Sequence, residues 1–111
     1  MAEYVPRKGD FIAVTFDPQS GHEQRGRRPA LVVSNDLFNR HTGLSIVCPI
    51  TNTRRDYPFH VPIPENQEVA GFVMAEQVKS IDFRARGAKR IGRAPEQVLQ
   101  EVLSLLDACI Y

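Results

Sequence analysis

The chain has no tryptophan, only two cysteines, and no apolar run near the roughly 20 residues that cross a bilayer. Cys48 and Cys109 form neither a CxxC pair nor a disulfide framework, so reduced thiols and a cytoplasmic location are expected. The segment from Met1 to Lys8 has no apolar core, and no signal peptide is expected. Charge of one sign is also scarce. With 14 basic and 13 acidic residues the formal net charge is +1, which does not mark a nucleic-acid binder by itself. His22, His41 and His60 lie far apart and at no metal-ligand spacing. No glycine pair is followed by the Lys-Ser/Thr of a phosphate-binding loop, and there is no Gly-x-Ser-x-Gly elbow. Metal, nucleotide-cofactor and acyl-transfer chemistry therefore have no motif to stand on, and neither a metal nor a cofactor is expected.

What is present suits one domain spanning residues 1–111. Apolar residues are 42% of the chain and charged residues 24%, enough apolar surface to offset the entropy of ordering a chain of this length. Phe11 to Phe16 reads as a strand stopped by Asp17-Pro18. Pro18 to Pro29 has no apolar periodicity and reads as a loop of about a dozen residues, long enough to carry function. Ala30 to Ser34 is a continuous apolar run, as in a strand covered on both faces. Ser34 or Asn35 can cap a short helix, Asp36 to His41, ended by Gly43. Leu44 to Ile50 is a strand in which Pro49 needs an edge, an end or a bulge. Tyr57 to Ile63, Gly71 to Ile81 and Arg86 to Ile91 complete the strands, the second being the longest candidate. After Pro95, the rows Val98-Val102-Leu105-Cys109 and Leu99-Leu103-Leu106-Ile110 give a helix with a wide apolar stripe meant for the core. Short strands followed by a helix, with no βαβ alternation, predict a small α+β domain, mainly β, with a bent or barrel-like antiparallel sheet.

Two basic patches stand out. Arg25, Arg27 and Arg28 crowd one loop, and Lys79, Arg84, Arg86, Lys89, Arg90 and Arg93 face one acid, Asp82. Gly21 to Pro29 packs imidazole, carboxylate and guanidinium groups into one stretch. Arg28, beside a rigid proline at the entry to a buried strand, is a candidate anion clamp. Thr51 offers a hydroxyl at a strand end. Alternation along Gly71–Ile81 puts Gln77 and Lys79 on one strand face with Ile81.

Taken together these residues resemble the MazF/PemK-type toxins of bacterial type II toxin–antitoxin pairs. The markers are Gly9-Asp10, Phe16-Asp17-Pro18, Gly21-His22-Glu23-Gln24, Arg28-Pro29, Val47-Cys48-Pro49-Ile50-Thr51, Gln77-Val78-Lys79-Ser80-Ile81 and Arg84-Ala85-Arg86-Gly87-Ala88, over nearly the whole chain. The resemblance implies an SH3-like barrel with a short internal helix and a C-terminal helix, a homodimer, and metal-independent endoribonuclease cleavage of single-stranded mRNA. It implies silencing by a MazE-like antitoxin with an acidic, disordered C-terminal tail. Arg28 and Thr51 match the family's catalytic pair, Glu23 a supporting acid and His22 a histidine of the PemK-like branch. That branch also carries an Arg two residues before an acid; here these positions are Met74 and Glu76, so the acid is kept and the Arg is not.

Metal-free RNA cleavage uses the substrate's own 2′-OH. It needs a base for that hydroxyl, charge stabilisation on the phosphorane and an acid for the 5′-oxygen. Arg28 and Thr51 suit the charge; Glu23 suits the base and His22 the acid. Arg28 is expected to share one pocket with Thr51. Phe16, Asp17, Gln77 and Lys79 are expected to meet bases, and Arg27, Arg84 and Arg86 to meet phosphates. The rival reading is a non-catalytic SH3-like module that binds a peptide or RNA. A DNA regulator has no recognition helix to offer, since the one long helix is committed to the core.

Overall fold

Ala30, Leu31 and Val32 are all fully buried, so this run has protein against both faces. They end the strand β2 (Arg27–Val32), around which a computed structural model, describing residues 3–16 and 27–111, builds the sheet. β1 (Asp10–Thr15) pairs antiparallel with β2 on one edge, and β3 (Leu44–Thr51) pairs antiparallel on the other. Between β2 and β3 stands α1 (Asp36–Thr42). Asn35 caps it by accepting from Phe38 N–H at 2.8 Å. Gly43 closes it in the left-handed conformation at φ +74°, as the cap residues implied.

The remaining strands are short. They are β4 (His60–Pro62), β5 (Phe72–Met74), β6 (Lys79–Asp82) and β7 (Lys89–Arg93). The sheet runs β4-β5-β3-β2-β1-β7, with β6 beside the first half of β3. All pairings are antiparallel. Among the described residues the sheet stays open, β4 and β7 forming its two ends.

β3 changes partner along one edge. Leu44 to Val47 pair with β6, whereas Ile50 and Thr51 pair with β5. Pro49, which has no N–H to donate, falls in the gap between these partners. The same change explains why Gly71–Ile81 is not one strand. The chain breaks into a 3₁₀ turn at Ala75–Gln77, where the buried Ala75 donates its N–H to Phe59 O at 3.0 Å. Gln77 therefore lies in a turn and not on a strand face with Ile81. β2 also begins earlier than its composition suggests. Arg27 to Pro29 are already strand, in register with Thr15 to Ala13, so Arg28 is the second residue of β2.

Both faces of the central strands are buried. Phe11, Leu31, Cys48, Ile50 and Val73 pack toward α2 (Glu96–Ile110), which contributes Val98, Leu99 and Val102. Ile12, Val14, Ala30, Val32 and Val47 pack on the other face with Ile81. The apolar stripe of α2 is buried only along its first half; Cys109 and Ile110 are exposed. Two buried polar groups tie the N-terminal segment down. Asn39 donates to Pro6 O at 2.7 Å and to Ser34 O at 3.2 Å, and accepts from the Ser34 hydroxyl. The Asp10 carboxylate accepts from the Tyr4 hydroxyl and from Arg7 N–H at 3.1 Å, and Arg90 and Arg93 approach it at 3.4 and 3.5 Å. Burial, with the Asp10 hydrogen bond and charge adding to it, pushes the Tyr4 phenol well above its ordinary range.

Two outcomes follow from this packing. Burial, with the nearby Glu76 charge as the smaller cause, pushes the Cys48 thiol up to about 12. Iodoacetamide at about pH 8 should therefore label Cys109 and leave Cys48 untouched until the protein is unfolded, as mass spectrometry of tryptic peptides will read. The second concerns glycines. A Cβ on Gly71 (φ +122°) would lie 2.3 Å from Thr51 O, whereas one on Gly43 would meet nothing within 4 Å. Gly43→Ala should cost about 1–2 kcal/mol and Gly71→Ala about 2–5 kcal/mol, because only the latter adds overpacking to backbone strain. Thermal melts check the order, and equal midpoints would contradict it.

Candidate active site

The register of β2 on β3 pairs Ala30 with Pro49. Arg28 is the second residue of β2 and Thr51 the last of the antiparallel β3, so both stand at one end of adjacent strands. One shared pocket is expected from the sequence; the two residues instead line separate cavities. Arg28 lines an open cavity of about 380 Å³ with Pro29, Asn52, Glu68, Val69 and Ile91 among its walls. Thr51 lines a second, of about 250 Å³, with Arg55, Tyr57, His60, Glu76 and Gln77. The border between them runs through the consecutive residues Thr51 and Asn52.

Thr51 is held for donation. Its Oγ1 accepts Thr53 N–H at 3.1 Å, which leaves its own O–H proton free for a ligand. Gly71 supports it from behind, with the Thr51 carbonyl so close that no side chain fits there.

The best-defined polar contact in the Thr51 cavity involves a residue that composition and spacing did not single out. His60 Nε2 lies 2.9 Å from Glu76 Oε2. The His60 side chain is 3% exposed and that of Glu76 26%, so the carboxylate is the member that faces solvent. Tyr57 stacks edge-on to the imidazole, with ring centroids 5.0 Å apart. The pairing of β4 with β5 sets His60 opposite Met74, and the 3₁₀ turn then brings Glu76 back over the ring. No local spacing signals this contact. The only hint was an acid at position 76.

The arginines divide by what they already hold. Arg27 is engaged by backbone carbonyls. Its Nη1 donates to Gly87 O at 2.8 Å and to Arg86 O at 3.2 Å, and its Nη2 donates to Ala13 O at 3.3 Å. Arg86 donates to Thr15 O at 3.3 Å and to Phe16 O. Arg84 pairs with Glu3 on the surface and lies 5.8 Å over the Phe83 ring. Lys79 Nζ sits 5.1 Å over the Phe16 ring, so those two base-contacting candidates stand together. Gln77 joins the Thr51 cavity. Asp17, His22 and Glu23 lie outside the described residues. Among the described residues no group of three His, Cys, Asp or Glu side chains could hold a metal ion, and no helix is long and apolar enough to cross a membrane.

Known proteins resemble this arrangement over nearly the full chain. Residues 7–110 match the model of the PemK-like, MazF-like toxins of type II toxin–antitoxin systems. The endoribonuclease toxin MazF of Escherichia coli K12 is 42% identical over 110 residues, covering 99% of this chain and 98% of that protein. The endoribonuclease toxin ChpB of the same organism is 46% identical over 108 residues, covering 93% and 92%. Among solved structures, MazF of Deinococcus radiodurans superposes with a TM-score of 0.88 at 44% identity, covering 97% of this chain and 98% of that one. The MazE–MazF complex of the same organism gives 0.86 at 38%, covering 97% of each chain. Its fold, its markers and these relatives agree: the chain belongs to the PemK-like, MazF-like toxins of type II toxin–antitoxin systems.

Proposed function

We propose that this chain cleaves single-stranded RNA without a metal ion, by attack of the 2′-OH next to the scissile phosphate. The coarser part follows from family membership: the chain is an endoribonuclease toxin that an antitoxin neutralises. The observation that carries the finer reading is the placement of Arg28 and Thr51 at one end of adjacent strands. A phosphate over the Thr51–Asn52 border can take the Arg28 fork on one side and the Thr51 O–H on the other. A guanidinium that stays protonated at neutral pH is suited to the phosphorane charge and unsuited to giving up its proton, so Arg28 acts as an electrostatic clamp. Glu23 is proposed as the base and His22 as the acid. Phe16, Asp17, Gln77, Lys79 and Arg84 are proposed to meet the splayed strand, while Arg27 and Arg86 also brace β1 against the Gly87 turn. A homodimer in the cytoplasm is part of the same proposal.

Product analysis tests the chemistry. Fragments should carry a 2′,3′-cyclic phosphate or its opened form and a 5′-OH, cleavage should persist in EDTA, and a 2′-deoxy nucleotide at the cut should block it. Loss of activity in EDTA, or 5′-phosphate ends, would remove this mechanism. Arg28→Ala should lower kcat/KM by about 10²–10³-fold, the range for removing one oxyanion-stabilising donor, and Thr51→Ala by less. Both should fold as the wild type does by circular dichroism, since Arg28 is exposed and Thr51 half-buried.

The antitoxin and the RNA are proposed to share one groove. An acidic, disordered tail laid along Arg28, Lys79 and Arg84 would pair with these cations, displacing Glu3 from Arg84, and it needs a long contact to offset its ordering entropy. Saturating antitoxin should therefore displace a fluorescent RNA, and added salt should slow antitoxin association. RNA binding unchanged by antitoxin would place inhibition elsewhere.

A further inference from the structure

We propose that His60 is a positioning residue that fixes the Glu76 carboxylate as a proton acceptor in the Thr51 cavity. This rests on the reading of the chain as an RNA-cleaving enzyme, and it gives Glu76 the proton-accepting role proposed above for Glu23, which lies outside the described residues. The argument starts from hydrogen-bond accounting around the imidazole. Its Nε2 is 2.9 Å from Glu76 Oε2, and its Nδ1 is buried with no partner among the described residues. If Nδ1 carried the only proton, the Nε2 lone pair would face a carboxylate oxygen at hydrogen-bond distance, and the Nδ1–H would be an orphaned buried donor. A doubly protonated ring would keep the contact with Glu76 but still bury an Nδ1–H with no acceptor. Orphaned buried N–H groups are the rarer and more costly kind. The Nε2–H form leaves only an unpartnered lone pair, and it directs its one donor at Glu76.

The consequence falls on the carboxylate. It receives one oriented hydrogen bond from a ring held by burial and by Tyr57, which fixes its rotamer. Oε1 has no protein partner among the described residues and belongs to a side chain that lines the cavity with Thr51, Arg55 and Gln77. A 2′-OH lodged there can pass its proton to Oε1 while Thr51 donates to the adjoining phosphate. The bond formed is 2′-O to phosphorus, the bond broken is phosphorus to 5′-O, and the proton lost from 2′-O rests on Glu76. Met74 is beside this cavity and has no proton to trade, so the acid for the 5′-oxygen must come from elsewhere.

A double-mutant cycle tests this, with kcat and KM measured on a short RNA carrying a cleavage site mapped for the wild-type protein. Glu76→Gln should lower kcat by about 10²-fold or more, the usual worth of a positioned base, with KM little changed. His60→Ala should lower kcat by about tenfold, and His60→Gln, which retains an N–H donor, should recover most of that loss. The double variant His60→Ala/Glu76→Gln should be no slower than Glu76→Gln alone, because His60 acts only through Glu76. Wild-type kcat for Glu76→Gln, losses that multiply in the double variant, or a change confined to KM would each overturn the proposal. Should His60→Ala fail to fold, the partly exposed Glu76→Gln and the donor-retaining His60→Gln still decide it. A wild-type chain that cuts no RNA would sink the enzyme reading itself. Wild-type cleavage with an unimpaired Glu76→Gln would sink only this one.

Discussion

The register of β2 against β3 is the constraint on which the rest of the molecule depends. Ala30 with Pro49, Leu31 with Cys48 and Val32 with Val47 are packed on both faces, so neither strand can slip by one residue without exchanging its two cores. That locked register places Arg28 and Thr51 at the same end of neighbouring strands. The proposed catalytic pair, far apart in sequence, thus inherits its geometry from buried aliphatic side chains. None of those side chains has any chemistry of its own. The same strand also decides where the sheet divides, because Pro49 cannot donate and its position coincides with the handover from β6 to β5.

Much of this was legible in the residues, and the reasons it was differ from place to place. The apolar run Ala30–Val32 announced a strand buried on both sides because burial is a property of composition. The caps of α1 were legible because Asn35 and Gly43 act within one turn of chain. What was not legible depends on contacts between distant segments. The break at Ala75–Gln77 is set by Phe59 accepting the Ala75 N–H and by β3 having two partners, neither of which a local pattern encodes. The lack of apolar periodicity up to Pro29 suggested a loop, but Arg27–Pro29 are drawn into β2 by the facing residues of β1. The His60–Glu76 pair joins residues on different elements, and its members look ordinary in their own neighbourhoods. The end of the α2 stripe, Cys109 and Ile110, is exposed for a related reason, since amphipathic spacing says which face is apolar and not how far the rest of the chain extends to cover it.

Charge shows the same distinction between counting and placing. The sequence carries six basic residues between Lys79 and Arg93, and they read as one patch. In the fold they do separate tasks. Arg86 clips backbone carbonyls of β1 and Phe16, Arg90 and Arg93 flank the buried Asp10, and Arg84 pairs with Glu3. Arg27, from the other cluster, is engaged by carbonyls of the Gly87 turn. A guanidinium satisfied by carbonyls still contributes positive potential, but it is not free to form a fork with phosphate. Arg28 and Lys79 gain importance because the arginines around them are already committed.

The division of the site into two cavities then gives the reaction a natural partition of roles. The Arg28 side is open and walled partly by apolar residues, Val69 and Ile91, which suits a nucleotide held by one charge contact and surface packing. The Thr51 side is the more polar of the two in its walls, with a carboxylate, an imidazole, a guanidinium, two hydroxyl-bearing threonines and a glutamine. Proton transfer needs fixed donors and acceptors within hydrogen-bond reach, and that side holds them on β3, the 3₁₀ turn and β4. Charge stabilisation tolerates more freedom, because a guanidinium fork follows a phosphate over a longer range than a proton can jump. A phosphate seated at the Thr51–Asn52 border would therefore be held from the open side and reacted upon from the polar side. Neither cavity needs to enclose it.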